Sequence, residues 1–224
     1  NFTPAVSNFT PTKTTDCLFS NCAKPTASIT PTSATICQGS STTLTANGGG
    51  TYLWSTGQTT ATISASTAGT YTVTVTVSGC DSVPPSATVN VNPNPAPTIT
   101  PSGPTAFCQS GSVTLTSSAA NSYTWSNGGN TQNITVSAAG NYTVTVTYSN
   151  GCTNSSSPTT ISINSNPSPT ITPSGATAFC QGNSVTLTSS AANSYLWSDG
   201  STSQSTIVTA PGNYNVTVTD GNGC

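Results

Sequence analysis

The chain has 224 residues and only 3% of them are charged: Lys13 and Lys24 are its cations, Asp16, Asp81, Asp199 and Asp220 its anions, and it has no histidine. Nucleic-acid binding needs clustered cations to neutralise phosphates, and that composition excludes it. A histidine-assisted serine nucleophile and a histidine-bearing zinc site lack their residues, and the four aspartates are scattered across the leader, the turns and a module end rather than gathered for general acid–base work.

Residues 1–25 stand apart from the rest of the chain. They hold a short echo, NFTPAVS then NFTPTKT, and the pair Cys17 and Cys22. Repeated Pro and Thr predict an extended leader or edge strand rather than a helix. The two cysteines most simply close a small local loop; otherwise they reach a neighbouring module or chain.

From Thr26 onward one frame occurs three times. Cys37, Trp54, Tyr71 and Cys80 carry the first copy, Cys108, Trp125, Tyr142 and Cys152 the second, and Cys180, Trp197, Tyr214 and Cys224 the third. Cys108 follows Cys37 by 71 residues and Cys180 follows Cys108 by 72, so the repeat is a structural module. The modules are expected at 26–93, 94–167 and 168–224.

Within each module the strands follow a period of two. Strand A carries Ile29, Ile99 or Ile171, with a proline that keeps it at a sheet edge or bends it. Strand B carries Leu44, Leu115 or Leu187, and strand C the motif Tyr-x-Trp, closed by Thr-Gly, Asn-Gly-Gly or Asp-Gly turns. A short strand with Ile63, or with Ile134 and Val136, comes next; the third copy places Thr206 and Val208 at those positions beside Ile207. Strand F is the clearest: Tyr71, Val73 and Val75 fall on one face and Thr72, Thr74 and Thr76 on the other, and the pattern recurs from Tyr142 and from Tyr214. Strand G is read in Ala87, Val89 and Val91 and in Ile161 and Ile163, each followed by a proline hinge. The third module stops before a strand G.

This pattern predicts an all-β chain, a tandem array of small Ig-like antiparallel β-sandwich modules. Trp54, Trp125 and Trp197, with Tyr71, Tyr142 and Tyr214, recur at fixed frame positions and are read as core rather than as a sugar-stacking platform. Cysteines without metal spacing point to disulfides and an extracellular setting. With the start of strand B and the end of strand F taken to lie at one pole, the expected bridges are Cys37 with Cys80, Cys108 with Cys152 and Cys180 with Cys224. The competing scheme joins Cys80 to Cys108 and Cys152 to Cys180. Each bridge in the first scheme closes a loop of about 44 residues, worth on the order of 4 kcal/mol in the chain-entropy model.

A surface this poor in charge must stay soluble by other means, either glycans or packing into a fibre. Asn-x-Ser/Thr sequons occur at Asn1, Asn8, Asn133, Asn141, Asn154 and Asn215. No transmembrane run or signal peptide is evident, which reads as a mature product or a window of a longer polypeptide.

The combined pattern, Cys-Gln-Gly-x-Ser-x-Thr-Leu-Thr, Tyr-x-Trp-Ser-x-Gly, Gly-x-Tyr-x-Val-Thr-Val-Thr and a closing Gly-Cys, resembles the Ig-like or PKD-like tandem repeats of very large Bacteroidota surface proteins. These include gliding-motility adhesins exported by the type IX secretion system. The resemblance covers about residues 26–224. It implies an extracellular, non-catalytic stalk or filament without a cofactor, whose partners are neighbouring repeats, further copies of itself or surface glycans. Asp81-Ser82-Val83 also resembles the short O-glycosylation signal of that phylum, which makes Ser82 a candidate acceptor. The rival expectation is a carbohydrate- or protein-binding accessory region of a larger secreted enzyme. If the chain is a polymerising subunit, the leader of a neighbour could supply the strand that the third module lacks.

Overall fold

Alternating Val and Thr, punctuated by Gly, Asn and Pro, gives the chain no helical period, and only strands and their connections occur among residues 22–224, which the computed structural model describes. The leader up to residue 21, with Cys17, Asn1 and Asn8, lies outside the described residues. The chain divides into two compact units after Asn94, within the first proline hinge. One hydrophobic core lies in the first unit and two in the second.

In the first core, β1 (Ser28–Thr30), β2 (Ser33–Cys37), β3 (Thr42–Asn47), β4 (Thr51–Trp54), β5 (Thr62–Ala65), β6 (Gly69–Val77), β7 (Cys80–Asp81) and β8 (Ser86–Asn92) build two sheets. One has the order β1-β3-β5; the other has β2-β8-β6-β4, with β7 folded back on β6. The expected strand A is therefore two strands. Pro31 ends β1, and the chain crosses to the opposite sheet as β2, which runs parallel to β8 with Ala34 opposite Val89 and Cys37 opposite Asn92. Leu44, Val73 and Val75 are fully buried between the sheets and Trp54 nearly so.

At Gly50 the neighbouring strand β6 leaves no room for a side chain. A Cβ there would collide with the carbonyl of Thr76 and the side chain of Val77. Gly50→Ala is expected to destabilise this core by about 1–3 kcal/mol through overpacking. Urea denaturation followed by Trp54 emission would show it, and an unchanged midpoint would contradict the packing.

The second core repeats the plan with β9 (Ile99–Pro101), β10 (Ala106–Cys108), β11 (Val113–Ser117), β12 (Ser122–Trp125), β13 (Asn133–Val136), β14 (Gly140–Tyr142), β15 (Val144–Thr147), β16 (Thr153–Ser155) and β17 (Thr159–Asn164). The first sheet is β9-β11-β13. The second carries β10 parallel to β17 and β17 antiparallel to β14, while β15 continues strand F against β12 and β16.

The third core has β18 (Ile171–Pro173), β19 (Val185–Ser189), β20 (Ser194–Trp197), β21 (Ser205–Val208) and β22 (Val216–Thr219). They form the sheet β18-β19-β21 and the pair β20-β22. Thr206 faces inward and Ile207 is 68% exposed. The inward hydroxyl is tolerated because it donates to Asp199 Oδ2 at 2.6 Å.

Candidate functional site

Two polar contacts recur identically in each core and fix its aromatic residues. The indole N–H groups of Trp54, Trp125 and Trp197 donate to the carbonyls of Thr60, Thr131 and Ser203, in each case six residues on. All three indoles are buried, so none offers a face to a sugar. The hydroxyls of Tyr71, Tyr142 and Tyr214 donate to the carbonyls of Thr67, Ala138 and Ala210, four residues upstream. A tyrosine at the start of strand F that reaches back in this way is the tyrosine corner of Greek-key sandwiches. Tyr71 and Tyr142 are buried, whereas Tyr214 is half-buried.

Strand direction decides where the cysteines can meet. The registers Cys37 with Asn92 and Gly69 with Val89 put Cys37 beside the end of β8 and the beginning of β6. Strand β6 then runs for 9 residues, about 30 Å, before Cys80. Cys37 and Cys80 thus sit at opposite poles of one sandwich, not at the same pole, and a bridge needs its Cα atoms within about 7 Å. Cys80 is bonded instead to Cys22, across a Cα–Cα distance of 5.8 Å. The local Cys17–Cys22 loop is thereby excluded.

In the second unit the same logic links one repeat to the next. Cys108 ends β10 beside Asn164, at the pole from which the chain leaves for the third core. It is bonded to Cys224, which follows strand F of that third core, with Cα atoms 5.5 Å apart. The expected pairs Cys108–Cys152 and Cys180–Cys224 therefore do not form. Cys37 and Cys152 are both disulfide-bonded, and Cys180 is exposed and has no disulfide partner among the described residues. Asn166, Pro167 and Pro169 line a cleft shared with Val216, Val218 and the Cys108–Cys224 bridge, so the second proline hinge packs where the two cores approach.

The fold is immunoglobulin-like. Strand order, the crossing of strand A between sheets and the tyrosine corner establish it from the chain itself. No protein-family model matches the sequence, and no curated protein matches it. Among solved structures, the chain is similar to the N-terminal eight Ig domains of Down Syndrome Cell Adhesion Molecule, at 15% identity and a TM-score of 0.35, over 76% of this chain and 28% of that one. It is also similar to murine CEACAM1b (16% identity, TM-score 0.29, 62% of this chain and 100% of that one). A third similarity is to the fibronectin(III)-like modules of CbhA from Clostridium thermocellum (17% identity, TM-score 0.30, 62% and 93%). Likenesses of this size carry no information about what the chain does.

Other sequence candidates take ordinary places in the immunoglobulin-like frame. Ser82 is buried: its hydroxyl accepts the N–H of Val75 at 3.0 Å and its own N–H donates to the Val75 carbonyl. Ser156 does the same for Val144 in the second core. Ser82 thus anchors a strand edge and is no surface acceptor for a glycan in the folded protein. The sequon residues Asn133, Asn141, Asn154 and Asn215 are exposed, although the Asn154 amide donates to the Pro95 carbonyl. Among the described residues no group of His, Cys, Asp and Glu is placed to hold a metal ion, and no helix is long and apolar enough to cross a membrane. The six disulfide-bonded cysteines among the described residues are consistent with an oxidising, extracellular setting.

Asp199 and Asp220 are turn residues. The Thr206 hydroxyl, with the Ser201 N–H, holds Asp199 below the ordinary carboxylate value of 3.8; the Cys224 N–H, with that of Asn222, does so for Asp220. Both bond sets favour the ionised form. The stability they add is complete above the ordinary value and is lost as pH falls through the lowered folded value. The third core's thermal midpoint should therefore hold steady down to about pH 4 and drop below it. In Asp199→Asn/Asp220→Asn the acid drop should shrink; an identical acid profile would refute the assignment.

Proposed function

We propose that the chain is an extracellular structural and adhesive repeat protein, part of a non-catalytic stalk or filament on a bacterial surface. The observation that carries this reading is the Cys108–Cys224 bridge, which joins one sandwich to the next instead of closing a sandwich on itself. A bridge inside a module protects that module; a bridge between modules carries tension past the hinge. The near absence of charge, the buried tryptophans and the resemblance to type IX-exported Bacteroidota repeats support the same reading.

Force spectroscopy on the oxidised chain tests it. The Cys108–Cys224 bridge spans a sequence separation of 116 residues, so it alone should withhold about 400 Å of contour length, and reductant should release at least that much. Equal extension before and after reduction would remove the mechanical argument. Immunogold labelling of the native cells should decorate extended surface structures. Specific sugar binding on a glycan array, without such structures, would favour the accessory-module reading instead.

A further inference from the structure

In each core one sheet has three strands, β1-β3-β5, β9-β11-β13 or β18-β19-β21, and so two outer edges. A bare edge offers unpaired N–H and C=O groups to any strand that meets it, and five of these edges are guarded. On one side proline removes a donor: Pro31 follows β1, Pro101 ends β9 and Pro173 ends β18. On the other side β5 and β13 turn Ser64 and Thr135 outward, and the Thr60 and Thr131 hydroxyls donate at 2.6 Å to the Thr62 and Asn133 carbonyls.

Strand β21 lacks both devices. Ile207 stands where Ser64 and Thr135 stand in the other cores, and its side chain is exposed. Ser203 occupies the place of Thr60 and Thr131, and its hydroxyl makes no such bond. The Ser189 N–H donates to the Gln204 carbonyl, so by alternation Thr206 and Val208 also face β19, while the amides of Ser205, Ile207 and Thr209 face the outer edge. Among the described residues no strand pairs with that edge.

We infer that this edge is an interface between two copies of the chain, in which β21 of one pairs antiparallel with β21 of the other about a two-fold axis. The strand is its own complement. Centred on Ile207, the pairing sets Ile207 against its counterpart and Ser205 opposite Thr209, and it uses every outward amide from Ser205 to Thr209 on both strands. The two exposed isoleucines then cover each other. Charge does not oppose the encounter: residues 200–210 carry none, and the whole chain has only 2 cations and 4 anions. The contact joins two three-stranded sheets into one. It rests on the third core alone and not on the stalk reading. A single strand pair is smaller than a standard interface, so the contact is weak in dilute solution and gains where copies are crowded.

The test uses the full chain with Cys180→Ser as the background. Sedimentation over a concentration series should show a monomer–dimer equilibrium. Ile207→Lys sets like charges opposite each other and should weaken it by about tenfold or more. The melting temperature of the third core should not move, because the side chain is exposed. A monomer throughout the series, or association that Ile207→Lys leaves unchanged, would overturn the interface.

Trapping checks the register. In Ile207→Cys two chains should be joined by one disulfide when diamide is added, the diamide taking up the two electrons and two protons that the thiols lose. Ser64→Cys and Thr135→Cys, at the matching place on β5 and β13, should be joined about tenfold more slowly or less. A mixture of Ser205→Cys and Thr209→Cys chains should give the mixed dimer in preference to either dimer with itself. Equal rates for the three single sites, or no preference in the mixture, would overturn the pairing.

Discussion

Replacing Trp125 with alanine is expected to cost the second core about 3–5 kcal/mol, enough to unfold a sandwich of this size. The indole is 2% exposed and its N–H is bonded to the Thr131 carbonyl at 2.8 Å, so truncation leaves both a cavity and an orphaned acceptor. Trp125→Phe separates the two losses, since it keeps most of the volume and drops the hydrogen bond. Each core holds one tryptophan, so emission from Trp54 and Trp197 reports whether the other two cores survive. Retention of the second core's transition in Trp125→Ala would show that the residue is not central to packing.

Removing the bridge with Cys108→Ser should destabilise the third core by about 2–4 kcal/mol, which for so small a unit lowers its melting temperature by more than about 10 °C. The effect concentrates there because that core has fewer buried members than its neighbour. Cys224→Ser should match it, and the double variant should lose little more, since the two changes break one bond. Calorimetry on the oxidised protein, the reduced protein and the three variants checks the prediction. A third-core transition indifferent to all of them would mean that the bridge is incidental to stability.

Much of this architecture is legible in the residues. The Val-Thr alternation of β6 and the Tyr-x-Trp of β4, β12 and β20 fall on strands with the expected faces buried, because a period of two with one wet face has no competing helical solution. Strands β2 and β10 were not legible: they are 5 and 3 residues long and become strands only by pairing in parallel with β8 and β17, a non-local contact. That omission misplaces the cysteines. With one strand A, Cys37 and Cys80 seem to share a pole; with A split across the sheets, Cys37 follows β8 to the far end, and the even spacing of cysteines suits bridges between repeats as well as bridges within them. The burial of Ser82 was not legible for a related reason, since a short acceptor signal carries no information about the strand edge that covers its hydroxyl.

The connection from Asn164 to Ile171 is the stretch of the second unit where a protease would ordinarily separate the third sandwich from the second. Cys108 lies before that stretch and Cys224 after it. A single cut there leaves both fragments joined through sulfur, so in an oxidising setting, where disulfides persist, the two sandwiches stay together after a nick that would separate an uncrosslinked pair.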